Sequence, residues 1–399
     1  MGMGKVIKSL LLLVGIWFGT CFSLFAKCDS LQFSLLTCEP GELVYELFGH
    51  TAIRGKNLTT GEDWVYNYGV FDFGAPNFVM RFVKGETDYQ LGVVPYYWFE
   101  REYRMRGSAV TEQVLALTGY EAWLLDSLLR TNYLPKNRVY RYNYFYDNCT
   151  TRARDRIEDA LEGLVCYGSM DGDYTFRQWV SRHTQGHPWA DFGIGLCLGA
   201  EADVPISHRT QMFLPANLMK ALSQATLQDG RTLVKNERNI IPSTRPLNEN
   251  AVLLTPMQVA FLLLLVILVC SLVEWRRGKI WWMIDLVLFA LQGIAGCIIA
   301  FLFFFSVHPT VGSNYLLAIF NPIPLVCLPW MIIRVRKGEK TLYDVVNVVI
   351  LTLFIAFLPL IPQKISLVVV PLALNLLIRS VLHLVVAHKK VFPLLNIGK

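Results

Sequence analysis

The chain has no GxGxxG turn, no cysteines at metal-ligand spacing, no internal repeat and no low-complexity tract. The first absence removes a dinucleotide-binding reading, the second a structural zinc site, and the third a solenoid. Neither a cofactor nor a metal is expected. Charge is also scarce. Asp, Glu, Lys and Arg make up 17% of the 399 residues, and the formal net charge is +6. That excess argues against a nucleic-acid partner, because it is not spread over a basic face. Residues 27–250 hold 23 basic against 27 acidic side chains. Residues 251–399 hold 12 against 4, set between long uncharged runs. Short basic clusters between apolar runs read as membrane topology.

Five such apolar runs are present, at about 257–273, 280–306, 316–333, 342–362 and 365–388. Each approaches the ~20 residues that span a bilayer as a helix. The basic clusters at Arg276-Arg277-Gly278-Lys279, Arg334-Val335-Arg336-Lys337 and Lys389-Lys390 alternate with nearly uncharged loops at 307–315 and 362–364. The positive-inside rule places the basic clusters in the cytoplasm and everything before the first span outside. The N-terminus requires the same, because Lys5 and Lys8 precede an apolar run from Ser9 to Phe25 and then Ala26. This is a secretory signal peptide or a signal anchor. The expected layout is therefore a signal segment over 1–26 and an exported α+β domain over 27–228. A polar linker over 229–256, a transmembrane domain of five helices over 257–388 and a cytoplasmic tail over 389–399 follow. The expected location is a membrane crossed several times, with the exported domain on its outer side.

Within the exported part, Glu42–Leu47, His50–Arg54, Trp64–Val70 and Asp88–Val94 read as short strands separated by Pro, Gly and Asn. Thr111, Glu112 and Gln113 read as a helix start, with Val114, Leu117, Trp123, Leu124 and Leu128 as its apolar stripe. Five cysteines lie here: Cys28, Cys38, Cys149, Cys166 and Cys197. In an oxidising compartment an odd count leaves one thiol free. Cys149 is the natural one, and Cys28–Cys38 with Cys166–Cys197 is one pairing among several, with all five as thiols the alternative. Cys270, Cys297 and Cys327 fall in apolar runs and read as small hydrophobes. Asp285, Asn347, Asn375 and Arg379 also fall there. They are costly in lipid and are expected to face the bundle interior.

Cys149 stands in Tyr146-Asp147-Asn148-Cys149-Thr150-Thr151-Arg152, after an aromatic run and before a charged helical pattern. A core cysteine would have apolar neighbours. This one has polar and cationic ones at a helix N-terminus, which favour thiolate. Upstream lies Phe48-Gly49-His50-Thr51-Ala52-Ile53-Arg54, a histidine entering a strand. An imidazole near a thiolate is the pair that thiol-based acyl chemistry needs. His183, His187 and His208 are weaker candidates for the base, since no strand surrounds them.

A histidine on an early strand followed much later by Asn-Cys at a helix start is similar to the circularly permuted papain-like hydrolases and acyltransferases. These include permuted NlpC/P60 proteins and lecithin:retinol acyltransferase. More specifically, Phe48 to Arg54, Tyr66-Asn67-Tyr68-Gly69-Val70-Phe71-Asp72-Phe73 and Tyr142 to Arg152 resemble the exported domain of the Lnb lipoprotein N-acyltransferases of Bacteroidota. The loop from His308-Pro309 through Asn314, with Asn321-Pro322, resembles that family's membrane half. The resemblance implies a permuted papain-like α+β exported domain in the periplasm, followed by an all-α bundle of five transmembrane helices in the bacterial inner membrane. It implies Cys149 as nucleophile and His50 as base. The orienting group is a polar residue on the strand after the histidine, which points to Asn67, with Tyr66, Tyr68 and Asp72 as rivals. The oxyanion is expected on the Cys149 backbone N–H, helped by the Asn148 or Asn143 side chain. His308, Asn314, Asn321 and Arg152 are candidates for positioning lipid or acceptor, the first three also reading as caps and interfacial polar residues. The implied reaction moves an acyl chain from a membrane phospholipid to the N-terminal amine of a diacylated lipoprotein. The alternatives are a membrane-bound thiol hydrolase, either phospholipase or peptidoglycan amidase, and a non-enzymatic scaffold.

Overall fold

The structure is a computed structural model that describes residues 30–161, 165–168, 172–245 and 252–391, with no side chains described beyond 388. The signal segment, Cys28 and the residues after 391 lie outside the described residues. The chain divides into two compact units, one of residues 1–173 and 206–248, the other of residues 174–205 and 249–399.

The first unit is built on a seven-stranded antiparallel sheet. Its strands are β1 (Leu31–Cys38), β2 (His50–Asn57), β3 (Asp63–Val70), β4 (Asp88–Pro95), β5 (Val110–Leu115), β6 (Val139–Arg141) and β9 (Val234–Ile241). The spatial order is β6-β4-β3-β2-β1-β5-β9. Two short strands, β7 (Val165–Cys166) and β8 (Thr226–Leu227), pair separately. The helices are α1 (Phe78–Lys84), α2 (Tyr96–Arg106), α3 (Gly119–Tyr133) and α4 (Cys149–Ala160), then, after the residues of the second unit, α7 (His208–Gln211) and α8 (Pro215–Ser223). One face of the sheet buries Phe33, Leu35, Ile53, Tyr66 and Tyr68 against Leu125 and Leu129 of α3, Ile157 of α4 and Leu218 of α8. The other buries Leu36, Ala52, Val65 and Val110 against Phe99 and Tyr103 of α2. Alternation along each strand feeds both layers, as a sheet covered on both faces requires. Arg54, on the second face, pairs with Asp63 at 2.6 Å and Glu112 at 3.0 Å and lies 3.4 Å over the Tyr96 ring, so it serves the fold.

Four expectations change here. Residues 42–47 hold a 3-10 turn, Val44–Glu46, and the strand ahead of His50 is Leu31–Cys38. Residues 110–115 form a strand between β1 and β9, and the helix begins at Gly119 behind a Thr118–Glu121 capping box. The segment expected as linker over 229–256 contains β9, an edge strand of the main sheet. Cys166 and Cys197 are free thiols, as are Cys38 and Cys149.

The second unit holds α5 (Phe176–His183), α6 (Pro188–Cys197) and five helices long and apolar enough to cross a membrane. These are α9 (Pro256–Arg277), α10 (Trp282–Phe305), α11 (Ile323–Lys337, extended by a 3-10 turn at Tyr315–Ala318), α12 (Leu342–Phe357) and α13 (Val369–Val391). Residues 174–205, expected in the exported domain, pack within this unit. Arg177 pairs with Asp203 at 2.8 Å and donates to the Gly195, Leu198 and Gly199 carbonyls. Asn314 Nδ2 donates to Leu196 O, Gln363 Nε2 to Leu198 O, and Gly199 N to Thr310 O. A Cβ on Gly199 would lie 2.7 Å from the Ser313 carbonyl carbon, so this close approach needs glycine. Asp285, Asn347, Asn375 and Arg379 are all buried in the bundle.

Candidate active site

Asn148 opens α4 from an extended conformation, and its side-chain oxygen accepts from Thr150 N at 2.8 Å and Thr151 N at 3.0 Å. Thr151 Oγ1 returns the favour to Asn148 N at 2.9 Å, closing a reciprocal cap. Cys149 is therefore the first residue of a firmly capped helix, where the unpaired N–H groups favour an anion. Opposite it, His50 is the first residue of β2, paired in register with Cys38 of β1. Gly49 delivers it. That residue has φ +76°, and a Cβ there would lie 2.6 Å from Cys38 O, so the turn admits glycine alone.

His50 Nε2 donates to Asn67 Oδ1 at 3.2 Å, which leaves Nδ1 for the Cys149 thiol. Burial raises the thiol pKa, but the His50 charge and hydrogen bond, with the Thr51 N–H and Thr150 hydroxyl, outweigh it and bring Cys149 down to about 7. Burial lowers the His50 pKa, and the Cys149 charge and hydrogen bond with the Asn67 contact overcome it, so His50 is raised. The two shifts are the two sides of one thiolate–imidazolium pair. Thr51 Oγ1 and Thr150 Oγ1 lie 3.0 Å apart and lock β2 to α4 beside the sulfur. Gly69, φ +89° in the bulge where β3 and β4 lose register, completes the wall. A Cβ there would sit 3.7 Å from the Cys149 Cβ.

The structure thus brings Cys149, His50 and Asn67 together. It separates the rivals of Asn67. Tyr68 donates to Asn132 at 2.7 Å, Tyr66 is buried in the core, and Asp72 caps its own turn through Gly74 N. Asn148 is committed elsewhere than to an oxyanion, since its Nδ2 donates to Tyr144 O at 2.9 Å and Phe213 O at 3.0 Å. Asn143 accepts from Phe145 N and Tyr146 N, shaping the loop before Asn148. Arg152 forms a two-pronged pair with Asp147 and lies 3.6 Å over the Tyr140 ring, a brace at the helix start. His308, Asn314 and Asn321 belong to the second unit. His308 is buried, Asn314 caps the 3-10 turn through Leu316 N, and Asn321 Oδ1 accepts from Ile323 N just ahead of α11. His183 and His187 are in that unit too, while His208 starts the one-turn α7. Sequence reasoning missed Thr51, Thr150 and Gly69 as site residues, although each stands inside or beside the segments that carry the pair.

Residues 23–182 match the family model described as the Lnb N-terminal periplasmic domain, and residues 248–391 match the Lnb transmembrane domain. No curated protein and no solved structure gives a significant match. The two matches cover a mixed α/β domain followed by five apolar helices, in that order, and the chain belongs to the Lnb family, as a membrane protein with a periplasmic domain.

Proposed function

We propose that the protein is a lipoprotein N-acyltransferase working through an acyl-thioester on Cys149. The observation that carries this reading is the capped-helix thiol beside His50, whose ring Asn67 holds, on a chain of the Lnb family. The Cys149 thiolate attacks the ester carbonyl of a phospholipid, and the Cys149 N–H faces the developing oxyanion. The imidazolium of His50 gives its proton to the departing glycerol oxygen, leaving a lysophospholipid and a thioester. The N-terminal amine of a diacylglyceryl-cysteine lipoprotein then attacks the thioester carbonyl. Neutral His50 takes the amine proton as the thiolate leaves, so the pair is restored and the product is an amide. Asn67 keeps the ring oriented through both halves.

Intact-mass analysis of the purified full chain tests this. Phospholipid without acceptor should add one acyl chain, removable by hydroxylamine and absent from Cys149→Ala. A diacylated lipopeptide should discharge it into triacylated product, while an N-acetylated lipopeptide, lacking the amine, should not. Discharge to free fatty acid with the lipopeptide untouched would turn the reading into that of a phospholipase.

A further inference from the structure

Beside the thiol runs a continuous strip of aromatic rings. Tyr142 stacks on Tyr89 with centroids 4.1 Å apart, and Tyr89 stacks on Phe71 at 4.9 Å. Phe71 meets Phe73 at 4.6 Å and Phe78 at 5.5 Å, and Phe73 meets Tyr45 at 5.9 Å. The inner end is at the sulfur. Gly69, against the Cys149 Cβ, is two residues from Phe71, and Cys149, Phe71 and Tyr142 all pack against the core cluster that contains Tyr89.

The outer end is open. Phe73 is 60% exposed, Tyr45 57% and Val79 71%, with Leu43, Val44, Met80 and Phe82 exposed around them. A contiguous apolar surface of this kind on a folded domain marks a binding site more often than chance. Helix α1 makes the case stronger. Its seven residues, Phe-Val-Met-Arg-Phe-Val-Lys, are mostly apolar, yet none is buried and its N-cap residue, Asn77, makes no capping hydrogen bond. A helix this short is not stable on its own account and draws its stability from packing. Here Phe78 packs inward on Phe71, while Val79, Met80 and Phe82 are turned outward.

Resting on the thioester reading above, we propose that this strip seats a fatty acyl chain of a membrane lipid. The turn at 43–46 and α1 form its two outer walls. An ester carbonyl at Cys149 obliges the attached chain to leave along the adjoining surface, where Tyr142 and Phe71 are partly exposed over buried Tyr89, and Phe73 and Tyr45 are exposed. The protein's own five spans supply the partner, since lipid is the medium in which the rest of the chain resides. Aromatic rings give apolar area with little rotamer entropy to lose, which suits a flexible chain arriving from a bilayer.

The test uses the full chain in detergent with a dipalmitoyl or a dihexanoyl phospholipid, comparing the parent with Phe73→Ser combined with Met80→Ser. Both positions are exposed, so the fold is retained. The double variant should form the thioester from the dipalmitoyl donor about tenfold more slowly. From the dihexanoyl donor it should stay within about twofold of the parent. If thioester formation is normal but transfer to a diacylated lipopeptide slows, the strip holds the acceptor's chains instead of the donor's. No change in either step, or equal loss with both donors, overturns the strip. A second measurement does not depend on catalysis. p-Benzoylphenylalanine replacing Phe73 in the Cys149→Ala background should crosslink to the acyl chain of an alkyne-tagged phospholipid. Crosslinking without any thioester in the parent protein would keep the strip and discard the acyl-transfer reading. Thioester formation without crosslinking would do the reverse.

Discussion

Each unit of the molecule buries a polar cluster, and the two are built to opposite ends. In the membrane unit, Arg379 donates to Asp285, Glu274 and Ser271, while His383 Nδ1 lies 2.8 Å from Asp344 and Nε2 3.1 Å from Asp285. The Nε2 contact is not aligned as a hydrogen bond. The cluster ties α9, α10, α12 and α13 together. All its members are essentially inaccessible. In the periplasmic domain the cluster is smaller and incompletely closed. Cys149 and His50 are only partly buried, and the sulfur is held by donors that stabilise its charge. A network sealed from solvent offers nothing to a substrate, whereas a partly accessible cysteine does. Buried charge alone therefore does not mark a reactive site; access and a nucleophile do.

The comparison breaks most sharply at the sulfur. Cys149→Ala should lower lipopeptide acylation by at least ~10³-fold. It should leave the melting temperature in detergent close to the parent's. Substantial residual triacylation would move the nucleophile elsewhere. His50→Ala should follow at ~10²-fold or more, the usual contribution of a positioned acid–base group. The same variant sharpens the electrostatics. Below the thiol pKa Cys149 is protonated and unreactive, so its iodoacetamide alkylation rate should rise with pH through a midpoint near 7 in the parent. Without His50 the largest remaining influence is burial, which raises the thiol, so the midpoint should move up towards or past the ordinary 9. An unmoved midpoint would show that the imidazole does not face the sulfur.

The membrane cluster should respond in the opposite currency. Arg379→Met leaves Asp285 and Glu274 buried without their cation, a change that typically costs about 3–5 kcal/mol. The readout is thermal unfolding and yield of inserted protein, with the Cys149 alkylation midpoint of the folded fraction unchanged. If the variant inserts and melts like the parent, the network is not what fastens these four helices.

The meeting of Cys149 and His50 was legible because its signals are local: a polar Asp147-Asn148 before Cys149 and a Gly49 before His50. The five spans were legible because apolar length is decisive in lipid. What escaped the sequence was decided by distant partners. Val114 and Leu117 imitate a helical stripe, yet 110–115 is a strand because β1 and β9 flank it. Strand β9, Val234–Ile241, reads as linker because an edge strand of charged, exposed residues has no periodic apolar face. Asn148 next to Cys149 suits an oxyanion donor or a helix cap equally well. Only the carbonyl of Phe213, 65 residues on, shows which its amide serves. Residues 174–205 join the membrane unit through Thr310, Asn314 and Gln363, more than a hundred residues downstream, and nothing within the segment announces it.

The finest test concerns Asn67, the side chain hydrogen-bonded to His50 Nε2 among the described residues. Its oxygen accepts from Nε2, so its role is to choose the tautomer and hold the ring, not to carry charge. Asn67→Ala should therefore cost less than His50→Ala, on the order of tenfold in acylation, since the ring keeps its place in β2 but loses its orientation. Asn67→Asp separates orientation from electrostatics. The carboxylate still accepts from Nε2, and its charge favours imidazolium. It should restore orientation, and it should hold the pair charged to higher pH, so the falling limb of the pH–rate profile moves up. The alkylation midpoint should shift little in Asn67→Ala, because the His50 charge, not Asn67, is the larger influence opposing burial at the sulfur. A loss in Asn67→Ala as large as that of His50→Ala, with the alkylation midpoint displaced upward to match, would mean that the imidazole leaves the sulfur altogether when Asn67 is gone. Asn67 would then be holding the ring in place, and the polar cluster of the periplasmic domain would be as brittle as the one in the membrane.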